Sequence, residues 1–263
     1  RDAAMRILVI ALFFILLFSL NHGNAEETVR IGLIGLDTSH APAFARILND
    51  TSYEHHLPGA RIVAAFAGGS PDIEASAPRV ERFTAQVADY GVAIVPDIGQ
   101  LVTQVDAVIL TSVDGRVHLE QVVPVLAAGL PVFIDKPMAA SLADVKEIFR
   151  LADEAGVPCF SASSLRFFPE LQCAIRDTSL GRIIGCDVYS PAELEPHHPD
   201  LMWYGIHGVE MLFAVMGADC STLCRAHTAG ADLVTGIWAD GRIGTLRGMR
   251  DGKGGYGATL FFE

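Results

Sequence analysis

VRIGLIGLDTSHAPAFARIL, residues 29–48, opens with an apolar strand from Val29 to Ile34 and passes through Gly35 into a helix-like pattern that starts near Ala41. Strand, tight turn and helix in that order form the first unit of a dinucleotide-binding fold. The G-x-G-x-x-G spacing counted from Gly35 puts Asp37 and His40 where the second and third glycines belong. The second glycine normally lets backbone approach a pyrophosphate, so Asp37 is expected to add bulk and negative charge beside two phosphates. His40 replaces the glycine that lets the helix pack tightly, and Pro42 removes one first-turn N–H from the anion-binding end of the helix. Thr38 and Ser39 can still supply hydroxyl and cap contacts. On these residues alone, dinucleotide binding stays an open question.

Downstream, strands and helices alternate, which is the pattern of a parallel sheet covered on both faces. RIVAAFA (61–67) reads as a second strand, VAIV (92–95) as a short one and VDAVILTS (105–112) as a fully buried one. HLEQVVPVLAAG reads as a helix ending at Gly129, with Pro124 expected to kink it. PVFIDKP (131–137) is another strand; Ser141 then caps a helix with Asp144 three residues on, and Val145, Ile148, Phe149 and Ala152 form its apolar stripe before Gly156. VPCFSAS returns as a strand. Beyond about residue 163 the pattern changes to a helical segment around Leu201 to Met216, then strand-like alternation from Ser221 with a hairpin turn at Asp240-Gly241. The expected fold is therefore α/β, an N-terminal Rossmann-type doubly wound parallel sheet over 26–160, followed over 161–263 by an α+β domain with a largely antiparallel open sheet. ATLFFE (258–263) reads as the middle of a sheet, so the chain is expected to be a fragment.

The 263 residues, 51% of them hydrophobic, can bury a sizeable core, and a net charge of -12 argues against broad nucleic-acid binding. Met5 and Arg6 precede an unbroken apolar run from Ile7 to Leu20, short for a bilayer span and suited to the core of a Sec-type signal peptide. Residues 1–25 are thus expected to be a signal peptide with an upstream extension. Cleavage would fall before Glu26, and the chain would be exported, touching a membrane only through this segment if it stays uncleaved. Of five cysteines, Cys220 and Cys224 are open to bridging, and Cys159 in VPCF reads as a small buried hydrophobe.

Five separated pieces then point one way: GLIG after the first strand, TSVDGRVH (111–118), IDKPMA (134–139), RFFP (166–169) and GIHGVEMLFAVMG (205–217). Their order resembles that of the glucose-fructose oxidoreductase and inositol dehydrogenase family (Gfo/Idh/MocA), over nearly all of residues 29–250. The resemblance implies an NAD- or NADP-dependent oxidoreductase of a sugar, cyclitol or related alcohol or carbonyl compound, with possible homo-oligomers through the C-terminal sheet. By position, Gly35, Leu36, Asp37, Thr38, Ser39, Ser112 and Lys136 would meet the cofactor. Lys136 would polarise the reacting oxygen and His207 would exchange its proton, since hydride leaves carbon only as the hydroxyl loses a proton.

Arg166 and Tyr204 are candidates for the substrate, although Arg166 equally fits pairing with a structural carboxylate and Tyr204 equally fits packing. His118 begins a helix on the cofactor side and is assigned no chemistry. The family's common Asp four residues before the histidine is Trp203 here, and its acidic residue after the second strand falls near Ala67 or Gly68. With Asp72 too far along, that absence tilts the reading either to NADP, with Ser70 near the 2′-phosphate, or to no dinucleotide at all. Two alternatives remain: a carbohydrate-binding protein that has lost the cofactor, and metal-assisted hydrolysis or lyase chemistry using His197, His198, Asp200, His207 and Glu210.

Overall fold

The computed structural model describes residues 28–263, so the expected signal peptide lies outside the described residues. The chain divides after Ala162 into two compact units. In the first, β1 (Val29–Ile34), β2 (Ala60–Phe66), β3 (Ala93–Val95), β4 (Ala107–Leu110), β5 (Val132–Asp135) and β6 (Cys159–Ala162) form one sheet in the order β3-β2-β1-β4-β5-β6. All its pairings are parallel. Every residue of β4 and β5 is buried, which is why both read as unbroken apolar runs rather than alternating ones.

The crossovers are α1 (His40–Asn49), α2 (Ala77–Asp89), α3 (Ile98–Val102), α4 (His118–Ala127) and α5 (Leu142–Ala155). α4 carries Pro124 in its interior without ending there. α5 starts as expected, Ser141 Oγ accepting from the Asp144 N–H at 3.0 Å, and ends at Gly156 with φ +66°. One apolar cluster, including Ile34, Leu101, Val122, Ile134 and Ile148, holds the sheet to α3, α4 and α5. The turns after β1, β2, β4 and β5 all emerge at the C-terminal edge of the sheet, where ligands of such folds bind.

The second unit contains α6 (Pro169–Arg176), β7 (Ile183–Pro191), α7 (Ile206–Met216), β8 (Cys220–His227), β9 (Ala231–Trp238), β10 (Ile243–Met249) and β11 (Gly257–Phe262). Its sheet runs β11-β7-β10-β9-β8, with β7 and β10 parallel and the other neighbours antiparallel. The sequence reading had no strand at β7. β11, in the stretch ATLFFE, pairs with β7.

α7 covers one face, packing Met211, Leu212 and Val215 onto Cys186, Val188, Trp238 and Leu246. Gly208 permits that approach, because a Cβ there would lie 2.5 Å from both Leu246 and Ser190. On the other face the cross-strand pairs align Phe261, Gly185, Ile243 and Ile237 in one row, and Tyr189, Arg247 and Leu233 in another. Cys220 and Cys224 share β8, about 13 Å apart along an extended strand and so beyond disulfide reach; all five cysteines are free thiols.

Candidate functional site

The turn after β1 begins with Gly35 at φ +86°, where an added Cβ would lie 2.3 Å from the Ser112 backbone nitrogen. Only glycine fits both the conformation and the contact. Leu36 is fully buried, and its N–H donates to the Ala67 carbonyl at 2.7 Å. Asp37 does not lie where the spacing suggested. Its side chain is fully buried and turned inward, accepting from Ser76 Oγ at 2.6 Å and from the Val113 N–H at 2.9 Å. The carboxylate thus cross-ties the turns after β1, β2 and β4 instead of standing over a phosphate site. The outer rim is left to half-buried Thr38 and exposed Ser39; Ser39 makes no side-chain cap bond, and Thr38 Oγ1 accepts from the His40 N–H at 3.4 Å. Ser112 is also turned inward, donating from Oγ to Gln121 at 2.7 Å.

His40 meets Asp135 at the end of β5, with Nδ1 2.5 Å from Oδ2. One turn along α1, Phe44 meets Phe133 edge to face at 6.2 Å between ring centroids. The coincidence is geometric: four residues of helix and two of strand both advance about 6 Å, so two side chains on one stripe of α1 meet two on one face of β5. Burial pushes the Asp135 carboxyl up, but His40 and Lys136 together hold it below its ordinary value. Lys136 follows directly, half-buried, joined to Pro137 by a cis peptide. His118 is buried at the start of α4, its ring nitrogens 2.8 Å from the Ser112 carbonyl and 3.1 Å from the Met138 carbonyl. It therefore braces the turn holding Lys136 against the turn after β4.

A second tie joins the turns after β2 and β4. Ser70, expected near a 2′-phosphate, is instead buried and donates to Asp114 Oδ2 at 2.6 Å. Arg116 bonds Asp114 through Nε and reaches Asp72 through Nη1 and Nη2, both at 2.8 Å. Burial pushes the Asp114 carboxyl up, and its bonds from Arg116 and Ser70 more than offset this, leaving it below the ordinary range. Neither Asp114 nor Arg116 was singled out in the sequence; the signal present was the order V-D-G-R (113–116), one residue short of His118.

In the second unit His207 is buried near the start of α7, with Nδ1 2.6 Å from Ser163 Oγ. The Tyr204 and Tyr256 rings stand edge-on to it, 5.1 and 6.0 Å between centroids. Arg166 Nε donates to Glu210 at 2.5 Å, so of its two expected roles the structure displays the carboxylate pairing. The donors of the metal reading are dispersed: His197 contacts Glu195, Asp200 binds Arg225, and Glu210 holds Arg166. Among the described residues no group of three or more histidine, cysteine, aspartate or glutamate side chains is placed to hold a metal.

A separate cleft of about 550 Å³ is lined by Leu194, Glu195, Pro196, His198, Asp200, Arg225 and His227. Behind it lies buried Asp232, which accepts from Arg225, Arg250 and His227 at 2.6, 2.6 and 2.8 Å. Burial raises the Asp232 carboxyl, and these donors hold it far below the carboxylate range.

Comparison with known proteins bears on the first unit most directly. A profile described as the GFO_IDH_MocA oxidoreductase family, NAD-binding Rossmann fold, matches residues 29–163. A 1,5-anhydro-D-fructose reductase of Ensifer adhaerens is 30% identical over 137 residues, 50% of this chain and 41% of the reductase. An uncharacterized oxidoreductase of Escherichia coli K12, YhhX, is 32% identical over 111 residues, 38% of this chain and 32% of that protein. These matches thus span less than half of either relative. The fold of both units recurs in UDP-N-acetylglucosamine 3-dehydrogenase GnnA of Acidithiobacillus ferrooxidans. Its TM-score is 0.71 at 16% identity, covering 90% of this chain and 75% of that one, a likeness of fold alone.

Proposed function

The chain belongs to the oxidoreductase family with an NAD-binding Rossmann fold, Gfo/Idh/MocA, and from that premise we propose that it oxidises or reduces a sugar, cyclitol or related alcohol or carbonyl compound with a nicotinamide dinucleotide. The observation that carries this reading is the turn at Gly35. A Cβ there would collide with Ser112, and the Asp37 carboxylate, which with His40 and Pro42 argued against a pyrophosphate, is turned into the protein. The residues present fit the group: the Gly35 and Leu36 N–H groups are taken by the Phe66 and Ala67 carbonyls, so the backbone from Asp37 to Ser39 would hold the pyrophosphate, with Thr38 and Ser39 on the outer rim. When bound, the dinucleotide supplies a hydride acceptor or donor.

The chain's own residues supply the rest. Lys136 polarises the substrate oxygen, in a position fixed by its place at the end of β5 between Asp135 and Pro137. His207 exchanges the hydroxyl proton, its ring oriented by Ser163. Tyr204 offers a sugar ring a flat apolar face. The open face of the second sheet, with Tyr189, Leu233, Ile237, Ile243 and Phe261 exposed, is read as a surface for a second copy of the chain. Export through residues 1–25 belongs to the same proposal.

Binding of NAD, NADH, NADP or NADPH followed by a sugar-alcohol screen tests this reading. Lys136→Ala is expected to lower kcat at least about a hundredfold while dinucleotide binding persists. Failure of all four nucleotides to bind would leave the carbohydrate-binding protein without cofactor as the reading to pursue.

A further inference from the structure

The cleft of about 550 Å³ in the second unit has no part in the chemistry assigned to Lys136 and His207. Its volume falls within the roughly 300–1,000 Å³ of small-molecule pockets. Its walls belong to the second unit alone: the segment between β7 and α7 supplies Leu194, Glu195, Pro196 and Asp200, and β8 supplies Arg225 and His227.

Buried Asp232 fixes the polar side of this cleft. Its carboxylate can only accept, so the His227 nitrogen 2.8 Å from it, Nδ1, carries a proton. The other ring nitrogen, Nε2, has no protein partner among the described residues, and the ring is half exposed. Nε2 accepts in the neutral ring and donates in the charged one; a hydroxyl satisfies it in both states, because it can do either. Arg225 is largely committed, its Nε donating to Asp232 at 2.6 Å and its Nη1 and Nη2 gripping the two carboxylate oxygens of Asp200. The Asp200 carboxylate is half exposed, with lone pairs left for a ligand's donors.

Charge narrows the ligand further. Glu195 and Asp200 line the cleft with one guanidinium, and behind them Arg250 offsets Asp232, which leaves a surplus of one negative charge with the imidazoles neutral. A phosphate or carboxylate would add to that surplus and find Arg225 already occupied. A hydroxyl brings no charge, and Leu194 and Pro196 give the carbon face of a sugar ring its apolar contact.

We propose that this cleft is a saccharide-binding site of the second unit, selective for neutral sugars, in which His227 and Asp200 bond the ligand's hydroxyls. The site is built without residues of the Gly35 crevice, so the inference stands whether or not a dinucleotide binds there.

The test is saturation-transfer NMR on the protein without dinucleotide, with the methyl glycosides of glucose, galactose and mannose as probes, followed by titration. At least one should bind with a Kd of about 10 mM or tighter. Its uronic acid counterpart, the same ring bearing a carboxylate, should bind at least about tenfold more weakly. His227→Ala, a change at a half-exposed side chain, should weaken the sugar at least about fivefold. Asp200→Asn suits a backbone at φ +40°, which asparagine tolerates as aspartate does. It removes the surplus charge, so the sugar and its uronic acid should come within about threefold of each other. Failure of all three glycosides to bind would overturn the proposal, as would a preference of the unaltered protein for the uronic acid. A sugar whose affinity ignores His227→Ala, and whose advantage over the uronic acid ignores Asp200→Asn, is bound elsewhere, which would overturn it too. Each of these outcomes leaves the cofactor reading untouched, since no dinucleotide is present.

Discussion

Asp37 shows how one side chain can mislead when only its neighbours in the sequence are read. By spacing it occupies a position where charge repels phosphate, and removing it ought to improve nucleotide binding. Its partners, Ser76 and Val113, lie 39 and 76 residues away, and no local pattern announces them. Asp37→Gly or Asp37→Ala is therefore expected to destabilise the chain by about 2 kcal/mol, because a buried hydroxyl and a buried N–H lose their acceptor. It should not strengthen NADH binding. A thermal melt beside a nucleotide titration checks both, and tighter binding in an undiminished fold would contradict the inward orientation. Gly35 was readable because its requirement is local, whereas Ser70, Ser112 and Asp114 are functional or structural according to what folds against them.

At the scale of elements, α1 and β5 are joined by one charged bond and one aromatic contact in matching register. His40→Ala should cost about 2 kcal/mol at pH 7, since it strips a buried carboxylate of its closest donor. The pH dependence has a definite sign. The Asp135 carboxyl lies below its ordinary value in the fold, so the stabilisation is present above the unfolded value near pH 4 and is lost as pH falls through the folded one. The gap between wild type and His40→Ala in denaturant melts should accordingly shrink below about pH 4; a gap that stays constant would mean that the pair carries no charge.

β4 and β5 read as strands because every residue in them is buried, so that apolar runs need no periodicity to be seen; β1, β2, β3 and β6 read as shorter apolar runs, and β9 and β10 through the turn at Asp240-Gly241 between them. β7 escaped because Gly185, Cys186 and Asp187 interrupt its centre, and its role depends on strands that come more than 50 residues later. Ser141 and Gly156 were legible as helix ends because caps act within one turn.

Across the whole molecule, each of the two units has its own apolar cluster, and the second also exposes an apolar sheet face. That face includes Cys224, whose partner in the adjacent strand is Thr235. Cys224 and Cys173 are exposed, whereas burial pushes the Cys159 and Cys186 thiols up to about 12. Maleimide at pH 8 should therefore label Cys173 and Cys224 and spare Cys159 and Cys186. If two copies meet through the sheet face, raising the protein concentration should slow labelling at Cys224 and leave Cys173 on α6 unaffected. Rates at both sites that ignore concentration would place any interface elsewhere.

The polar ties at the C-terminal edge of the first sheet have a consequence for how a ligand arrives. Asp37, Asp114, His118 and Arg116 fasten four turns to one another through protein groups alone. The conformational entropy of those turns is thus lost when the chain folds, not when it binds. Association then resembles a key entering a finished lock. Its heat-capacity change should reflect only the surface that the ligand covers, and the backbone amides of these turns should resist solvent exchange before any ligand is added.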